Sequence, residues 1–214
     1  MRVGILGTGD VGRSLGKGFL TLGHEVKLGA RIAGNDKATL FANEMGPKAS
    51  AGTFSEAAKF GEIVVLATLG IAAETALTLA GTDLFRNKVV LDTTNPLDFG
   101  QGFPPKLAIG TIDSGGERIQ RRIPGANVVK VFNTVGHAHM FRPVFPGGPP
   151  DMFLCGNDDG AKKQVVGLLR EFGWNGVDLG NIEASRYLEP MSLIWVLYGI
   201  HNNTWNHAFK VLTR

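Results

Sequence analysis

The sequence predicts an α/β protein with a doubly wound, mostly parallel sheet and a helical extension at its C-terminal end. Two observations support this fold class. Short apolar segments alternate along the chain with segments whose apolar residues recur at helical spacing. The apolar segments also show little polar alternation, which is typical of parallel strands covered on both faces. Right-handed crossovers between such strands place helices on both sides of the sheet.

The N-terminal elements follow this alternation in order. A strand is predicted over Val3–Leu6, a helix over Val11–Leu22 and a second strand over Glu25–Gly29. Further helices are predicted at residues 37–45, 54–60, 71–80 and 117–123, and further strands at 62–67, 88–92 and 128–132. Together these segments build the predicted sheet and its two helical layers.

A connector separates this part of the chain from the extension. Residues 143–150 read Pro-Val-Phe-Pro-Gly-Gly-Pro-Pro, which predicts a stiff segment without regular structure. We therefore expect a main domain over residues 1–142 and an extension over residues 143–214. The extension is predicted to contain a strand at 151–155, a helix at 158–172, a short strand around Val177 and a helical region from Ile182. Asp158 is the predicted N-cap of its helix, and Gly173 is the predicted stop.

The composition, with 43% apolar and 19% charged residues, is ordinary for a globular protein. The formal net charge is +3, and the largest basic cluster, Arg118, Arg121 and Arg122, is too small to indicate a nucleic-acid partner. A single cysteine, Cys155, excludes an intramolecular disulfide and is expected to be a buried small residue. The longest apolar run, Leu193–Ile200, is too short to cross a bilayer. Because the chain starts on a strand, we expect no signal peptide, no membrane partner and a cytoplasmic location.

The segment Gly7-Thr-Gly-Asp-Val-Gly12 joins the first strand to the first helix with the glycine spacing of a dinucleotide-binding turn. Gly7 permits the tight turn, Gly9 lets the main chain approach the phosphates, and Gly12 lets the helix pack close to the strand. The N-terminus of the helix offers free N–H groups to an anion. The alternative is a tight turn without a ligand. We expect a dinucleotide here, which makes residues 1–142 a Rossmann domain.

The residue after the second strand distinguishes the two nicotinamide cofactors. An NAD-preferring site places Asp or Glu near the end of this strand to bind the ribose 2′-hydroxyl, whereas this chain has Arg31. A guanidinium can stack on adenine and donate two hydrogen bonds to a 2′-phosphate, which a carboxylate would repel. Asp36 comes later, in a loop or at a helix start. The sequence therefore predicts NADP(H), the alternative being that Arg31 is a solvated surface side chain.

Polar or small residues follow three further predicted strands, at the sheet edge where ligands bind in such folds. These residues are Thr68-Leu69-Gly70, Asn95 and the loop Asn133–His137. We expect Thr68, Leu69 and Asn95 to contact the cofactor. Asn95 and Asn133 could hydrogen-bond ribose hydroxyls or the nicotinamide amide, the alternative being that they cap turns.

The histidines have two possible roles. On an extended segment the rings of His137 and His139 would share one face, but no cysteine or acidic cluster accompanies them, so we predict no metal site. We place His137 in the wall of an acceptor pocket instead. His201 and His207, with Asn202, Asn203 and Asn206, make the last helix unusually polar. They could line a site or a subunit contact, or form a solvated helix face.

The segment Met191–Tyr198 is apolar on nearly every side of a helix and requires burial on several faces. In a chain of this length a homodimer interface can supply that burial, and aromatic residues suit an interface. We therefore expect a homodimer. The alternative is that this helix packs on its own sheet.

Four segments carry a resemblance to a known family. They are Gly-Thr-Gly-Asp-Val-Gly-Arg-Ser-Leu at 7–15, Gly-Ala-Arg at 29–31, Val-Val-Lys-Val-Phe-Asn-Thr at 128–134 and Glu-Ala-Ser-Arg-Tyr-Leu-Glu-Pro at 183–190. With these segments the sequence resembles the NADP-dependent coenzyme F420 oxidoreductases over nearly the whole chain, and the fourth segment is the most specific. The first and third segments are also similar to the cytoplasmic reductase domain of six-transmembrane metalloreductases.

The resemblance implies hydride transfer between NADP(H) and a flavin-like ring. The ring is the deazaflavin of coenzyme F420 in the first group, and a flavin such as FMN or FAD in the second. The resemblance implies that Arg31 binds the 2′-phosphate. It also implies a pyrophosphate site formed by Gly7, Thr8, Gly9, Asp10, Val11 and Gly12.

The resemblance also implies where the acceptor binds. It places the loop 133–137 near the nicotinamide and adds Arg186 and Ser192 to the acceptor pocket. The expected pocket residues are thus Asn133, Val135, His137, Arg186 and Ser192. One position departs from the first group, because F420 enzymes can carry a histidine where this chain has Asn133. Asparagine there is closer to the metalloreductase domain, which leaves the acceptor open between F420 and a flavin.

Hydride transfer between two rings requires positioning more than a dedicated acid or base. This agrees with a sequence that lacks a nucleophile elbow, a paired-carboxylate motif and a Cys–His signature. We predict an NADPH-dependent oxidoreductase with a small-molecule electron acceptor. One alternative is a reductase of small carbonyls or imines, for which His137 is the only ready proton donor. The other is a non-catalytic NADP-binding regulatory module.

Overall fold

The computed structural model describes residues 1–214 and contains ten strands and seven α-helices. The strands are β1 (Arg2–Leu6), β2 (Glu25–Ala30), β3 (Ala49–Thr53), β4 (Ile63–Leu66), β5 (Val89–Asp92), β6 (Leu97–Asp98), β7 (Lys106–Leu107), β8 (Asn127–Lys130), β9 (Asp151–Gly156) and β10 (Asn175–Asp178). The helices are α1 (Asp10–Thr21), α2 (Asp36–Met45), α3 (Phe54–Phe60), α4 (Ala73–Ala80), α5 (Gly115–Arg122), α6 (Asp159–Glu171) and α7 (Ser185–His201). Short 3₁₀ turns lie at Gly70–Ala72, Thr82–Phe85, His137–His139 and Ile182–Ala184.

Eight strands form one sheet in the order β10-β9-β8-β5-β4-β1-β2-β3, and β6 pairs with β7 in a separate small hairpin. Every neighbouring pair in the large sheet is parallel except β8 and β9. The chain reverses direction between these two strands, through the segment that contains the predicted connector at residues 143–150. The doubly wound, mostly parallel fold predicted from the sequence is therefore confirmed.

The two faces of the sheet carry separate hydrophobic cores. One core contains Phe19 of α1, Phe41 of α2 and Leu169 of α6. The other contains Ala57 of α3 and Leu77 of α4, together with residues of α5 and α7. Because the six strands β8, β5, β4, β1, β2 and β3 are all parallel, their carboxyl ends meet at a single edge of the sheet. That edge carries the candidate site.

Several element bounds match the sequence prediction closely, including the helix at 54–60. The predicted N-cap Asp158 accepts a hydrogen bond from the main chain of Ala161, and Gly173 has the positive φ of a helix stop (87°). Cys155 is fully buried and unpaired, as expected. Burial raises the pKa of its thiol to about 11.

Two features of the sheet were not predicted. β3 lies at the edge of the sheet and reads Ala-Ser-Ala-Gly-Thr, which lacks the bulky apolar residues of the inner strands. It forms because its main chain pairs with β2 in a parallel register from Ala49 to Thr53. The hairpin of β6 and β7 has two residues in each strand, which is too short for an alternating pattern.

The prediction that Asn202, Asn203, Asn206 and His207 belong to the last helix is wrong. α7 ends at His201, and residues 204–214 have no regular structure. The chain folds back so that the Trp195 indole N–H donates to the His207 carbonyl (3.0 Å), and the two rings stack at 4.6 Å. Further on, the main-chain N–H of Asp151 donates to the Phe209 carbonyl. The polar residues after α7 thus form a returning tail.

No helix in the chain combines the length and the apolar character that crossing a membrane requires.

Candidate cofactor site at the carboxyl edge of the sheet

The turn after β1 requires glycine at its first position for two independent reasons. Gly7 has a φ of 129°, a conformation that residues with a side chain rarely adopt. A Cβ atom on Gly7 would also lie 2.2 Å from the main-chain oxygen of Ala67, which directly follows β4. The N–H of Gly7 donates to the carbonyl of Gly29 in β2 (3.0 Å). The turn therefore packs directly between the ends of its two neighbouring strands.

Gly9 and Gly12 differ in how much space a side chain would have. A Cβ atom on Gly12 would lie 2.4 Å from the main-chain oxygen of Gly7, so this position holds α1 close to the turn. A Cβ atom on Gly9 would have no heavy atom within 4 Å. Gly9 is the N-cap of α1, and no side chain caps this helix end. The first N–H groups of α1 therefore face open space, which is the environment that a diphosphate needs.

Asp10 places a negative charge in the first turn of α1, beside this open space. The Arg13 guanidinium lies 2.5 Å from the Asp10 carboxylate, and its hydrogen bond holds the pKa of Asp10 below the ordinary value. Asp10 and Arg13 together line a groove of about 290 Å³ with Lys37 and His137. Arg13 thus offsets a charge that would otherwise repel an anion at this helix end.

Arg31 is exposed immediately after β2 and lies at one side of a small, mainly apolar cavity of about 120 Å³. Such a cavity beside a guanidinium suits an aromatic base that stacks against the arginine. The cavity is lined by Arg31, Phe54, Thr68, Leu69, Ala72, Thr75, Ala76 and Leu79. The structure therefore brings together Arg31, Thr68 and Leu69, which the sequence placed at the ends of two different strands.

Two buried polar atoms at this edge have no hydrogen-bond partner within the protein. They are the hydroxyl oxygen of Thr68, after β4, and the side-chain oxygen of Asn133, after β8. An unpaired buried acceptor is costly, so such atoms commonly mark the contact points of a ligand. Phe132, directly before Asn133, has a φ of 61°, which is uncommon for a bulky residue.

Asn95 and Asn133 bind each other. The Asn95 amide donates to the main-chain carbonyl of Asn133 (2.7 Å), and the Asn133 amide donates to the Asn95 side-chain oxygen (2.9 Å) and to the carbonyl of Leu188 (2.9 Å). Both amide N–H groups of Asn133 are therefore used within the protein. The pair joins the ends of β5 and β8 and attaches them to α7.

The rest of the predicted acceptor loop has mixed exposure. Val135 is buried, whereas His137 is exposed and lies 3.5 Å from the Ser14 hydroxyl of α1. His137 and His139 stand on a 3₁₀ turn rather than on an extended segment, and His139 hydrogen-bonds to Asn206 of the tail. No group of three or more histidine, cysteine or acidic side chains is arranged to hold a metal ion.

The two α7 residues of the predicted pocket differ in orientation. Arg186 forms a bidentate pair with Glu117 of α5, at 2.8 and 2.5 Å, and this pair holds the pKa of Glu117 below the ordinary value. Arg186 also lines a cavity of about 220 Å³ beside the loop 107–113. Ser192 is buried, and its hydroxyl donates to the Glu189 carbonyl of its own helix.

A buried ionic cluster behind the site was not predicted from the sequence. Lys130, at the end of β8, lies 2.7 Å from the Asp92 carboxylate and 2.8 Å from the Glu189 carboxylate, and its third donor reaches the Thr94 carbonyl (2.8 Å). Burial alone would lower the pKa of Lys130, but the two carboxylates overcome this effect and raise it. The sequence signal that could have revealed this cluster is a lysine and an aspartate at the ends of otherwise apolar strands.

Glu189 has a second role in this cluster. Its carboxylate accepts hydrogen bonds from the main-chain N–H groups of Gly115 (2.9 Å) and Gly116 (3.0 Å), the first two residues of α5. Glu189 therefore satisfies free donors at a helix N-terminus, as a capping side chain would. The segment 183–190 that carries the family resemblance thus fixes α7 to α5 and to the sheet.

Comparison with known proteins shows which family this chain resembles. The family model described as NADP oxidoreductase coenzyme F420-dependent matches residues 2–96. A crystal structure from Arthrobacter sp. FB24, provisionally assigned as an F420-dependent NADP reductase, is 38% identical with a TM-score of 0.91, and the alignment covers 100% of both chains. The F420-dependent NADP reductase of Methanothermobacter thermautotrophicus is 26% identical over 99% of this chain and 94% of its own length.

A second group of relatives is longer. Metalloreductase STEAP3 of Rattus norvegicus is 29% identical over 195 residues, which cover 90% of this chain and 36% of that protein. This chain therefore spans about a third of the length of that relative. The match over the glycine turn and the full-length likeness to the Arthrobacter structure show that this chain belongs to the family of coenzyme F420-dependent NADP oxidoreductases.

Proposed function

We propose that this protein transfers a hydride between NADP(H) and a deazaflavin of the coenzyme F420 class. The observation that carries the proposal is the combination of an open, uncapped α1 N-terminus at Gly9 with the Arg31 guanidinium beside an apolar cavity. The first feature suits a diphosphate, and the second suits an adenosine that carries a 2′-phosphate. Family membership supplies the acceptor class.

The residues present fit NADP(H). The main-chain N–H groups at Gly9, Asp10 and Val11 would hold the diphosphate, and Arg31 would bind the 2′-phosphate and cover the adenine. Lys37, in the first turn of α2, adds a positive charge to the groove beside Asp10 and was not anticipated from the sequence. A basic residue in the first turn of a helix is electrostatically unfavourable, which is the signal that could have found it.

The nicotinamide end would lie against the free side-chain oxygen of Asn133, whereas Thr68, which lines the Arg31 cavity, would contact the adenosine half of the cofactor. These two acceptors suit the amide N–H groups and the ribose hydroxyls of the cofactor. When bound, NADP(H) supplies the hydride at C4 of its nicotinamide ring. The protein's part is orientation, because the Asn95–Asn133 pair fixes the two strand-end loops between which the ring must lie. The reduced ring also takes up one proton, and solvent can supply it, so no side chain is required for that step.

A flavin is the second candidate acceptor. The likeness to the metalloreductase favours it, and so does Asn133 at a position where F420 enzymes can carry a histidine. The two acceptors can be separated by a single assay. Purified protein with NADPH is mixed in turn with F420, FMN, FAD, ferric chelates and simple carbonyls, and the absorbance of NADPH is followed at 340 nm.

The proposal requires rapid NADPH oxidation with F420, and slower oxidation or none with the other acceptors. Oxidation with FMN or FAD alone would favour the flavin alternative. Reaction with carbonyls or imines would identify a small-substrate reductase. Tight NADPH binding without turnover on any acceptor would identify a regulatory module.

We also propose that the protein acts as a homodimer. α7 exposes an apolar stripe at helical spacing, with Tyr187 76%, Ile194 58% and Leu197 51% exposed. A stripe of this kind along a helix is typical of a surface that another subunit covers. Among the other apolar residues of this helix, Leu188 and Met191 pack against the second core, whereas Tyr198 is also 51% exposed.

A further inference from the structure

We infer that three arginines of α5 bind the anionic tail of the acceptor. The inference rests on the proposed function and narrows its substrate class. The arginine cluster consists of Arg118, Arg121 and Arg122, which lie three and four positions apart and therefore share one face of the helix. The deazaflavin ring would occupy the neighbouring cavity between α7 and the loop 107–113, which we name the ring cavity.

The ring cavity adjoins the proposed nicotinamide position. Its volume is about 220 Å³, and its lining includes Leu107, Arg186 and Pro190. The carbonyl of Leu188, two residues before Pro190, accepts a hydrogen bond from the Asn133 amide. On the other side, the N–H of Ala108 donates to the carbonyl of Pro96, next to Asn95. Both walls of the ring cavity are thus tied to the Asn95–Asn133 pair.

A charged groove begins where the ring cavity ends. The groove has a volume of about 460 Å³ and is lined only by Glu74, Asp113 and the arginine cluster. Asp113 lines both the ring cavity and the groove, so the two are continuous at this residue. A ligand with an apolar ring and a charged extension would therefore place its ring in the ring cavity and its extension in the charged groove.

The arginines retain donors for a ligand. Asp113 accepts from Arg118 (3.0 Å) and from Arg121 (2.9 Å), so a single carboxylate holds two guanidinium groups in place. Arg122 donates to the Thr78 hydroxyl of α4 (2.6 Å). Each guanidinium has five N–H donors, and these contacts use only a minority of them. The side chains of Arg118 and Arg121 remain 44% and 59% exposed.

The charge balance of the groove favours an anion. Three arginines face two carboxylates, Asp113 and Glu74, which leaves a net charge of +1 and preformed guanidinium pairs. Coenzyme F420 carries its ring on a ribityl chain that ends in a phosphodiester and a series of carboxylates. FMN has one phosphate on a shorter chain, and riboflavin has none. The groove therefore matches the F420 class better than a simple flavin.

The test compares F420 with its tail-free analogue, the 5-deazaflavin that bears only the ribityl chain. Steady-state rates are measured for the wild type, for the double variant Arg118→Glu/Arg121→Glu, and for Arg86→Glu as a matched control. Arg86 is also an exposed arginine paired to a carboxylate three residues away, but it lies outside the groove. Rates are repeated at low and high salt, because exposed charge pairs weaken with ionic strength.

We expect the double variant to raise the KM for F420 about tenfold or more, while the KM for the tail-free analogue and for NADPH changes little. We also expect the wild-type KM for F420, and not that for the analogue, to rise with salt. If the double variant raised the KM equally for both acceptors, or if Arg86→Glu raised the KM for F420 as much as the double variant, this inference would be overturned. The proposed function would not be affected. A wild type that reacts with neither acceptor would overturn the proposed function and this inference with it.

Discussion

Lys130 and Glu189 form an ion pair in the interior of the protein, with 2.8 Å between the lysine Nζ and the nearer carboxylate oxygen. Both side chains are almost completely excluded from solvent, and Asp92 completes the cluster at 2.7 Å. Because Lys130 ends β8 and Glu189 lies in α7, this contact joins the carboxyl edge of the sheet to the helix that borders the proposed acceptor site. The ion pair therefore fixes the position of α7 relative to the sheet at that site.

Replacing Lys130 by methionine is expected to destabilise the protein strongly. The change leaves Asp92 and Glu189 buried with negative charges and no cation, which typically costs about 3–5 kcal/mol. The free energy of unfolding from urea denaturation measures the effect. Lys163→Met, at an exposed position of α6, is the control and is expected to stay within about 0.5 kcal/mol of the wild type.

The same cluster predicts a direction for pH dependence. The folded state raises the pKa of Lys130 above its ordinary value of 10.5. Its stabilising contribution is therefore fully present below pH 10.5 and is lost only as the pH rises through the higher folded-state value. The wild type should therefore lose no stability through deprotonation of Lys130 between neutral pH and pH 9, which urea denaturation across that range measures. A loss of wild-type stability in that range that the Lys130→Met variant does not share would contradict the ionic cluster.

Alanine substitutions at two glycines of the turn after β1 are expected to have different effects. Gly9→Ala adds a methyl group in open space, so the melting temperature should not change, but the methyl group blocks the diphosphate and NADPH affinity should fall at least about tenfold. Gly12→Ala drives a methyl group against the Gly7 carbonyl and should cost about 1–3 kcal/mol of stability. Calorimetric titration and thermal melting separate the two. Unchanged NADPH affinity in Gly9→Ala would contradict the placement of the diphosphate.

Arg31→Ala is expected to weaken NADPH binding selectively. Charge-assisted hydrogen bonds to the 2′-phosphate are worth about 1.5–3 kcal/mol, so the Kd for NADPH should rise about tenfold or more. NADH has no phosphate at this position, so its Kd should change little. Arg170→Ala, at an exposed position of α6, is a suitable control. A wild type that binds NADH as tightly as NADPH would refute the cofactor assignment.

The apolar stripe of α7 predicts a dimer that charge can disrupt. Ile194→Asp and Leu197→Asp together place two carboxylates on the stripe, and the mass in solution should fall from that of a dimer to that of a monomer. Val144→Asp changes an exposed apolar residue of the connector, outside the stripe, and should leave the mass unchanged. Sedimentation over a wide concentration range measures both. A wild type that is monomeric throughout would contradict the homodimer.

Local patterns in the sequence predicted the parts of the fold that depend on local constraints. The glycine turn is one example, because the φ of Gly7 and the close approach at Gly12 are requirements of a few neighbouring residues. The helix at 54–60 is another, since Thr53 and Glu56 form a capping box at its start. The edge strand β3 was missed because its pairing with β2, rather than its own residues, determines its conformation.

The site required contacts between residues far apart in the chain. The sequence placed Asn95 and Asn133 correctly at strand ends, but it could not show that they bind each other and leave one oxygen free. Nor could it show that Glu189 neutralises Lys130 or that His207 folds back onto Trp195. Each of these contacts depends on tertiary packing that no periodic pattern encodes.

The most direct test is a crystal structure of the protein with NADPH at millimolar concentration. We predict that the diphosphate lies within hydrogen-bond distance of the main-chain N–H groups at the start of α1, and that the 2′-phosphate contacts Arg31. An empty turn in such a crystal, or a nucleotide bound elsewhere on the protein, would contradict the assigned cofactor site and the function built on it.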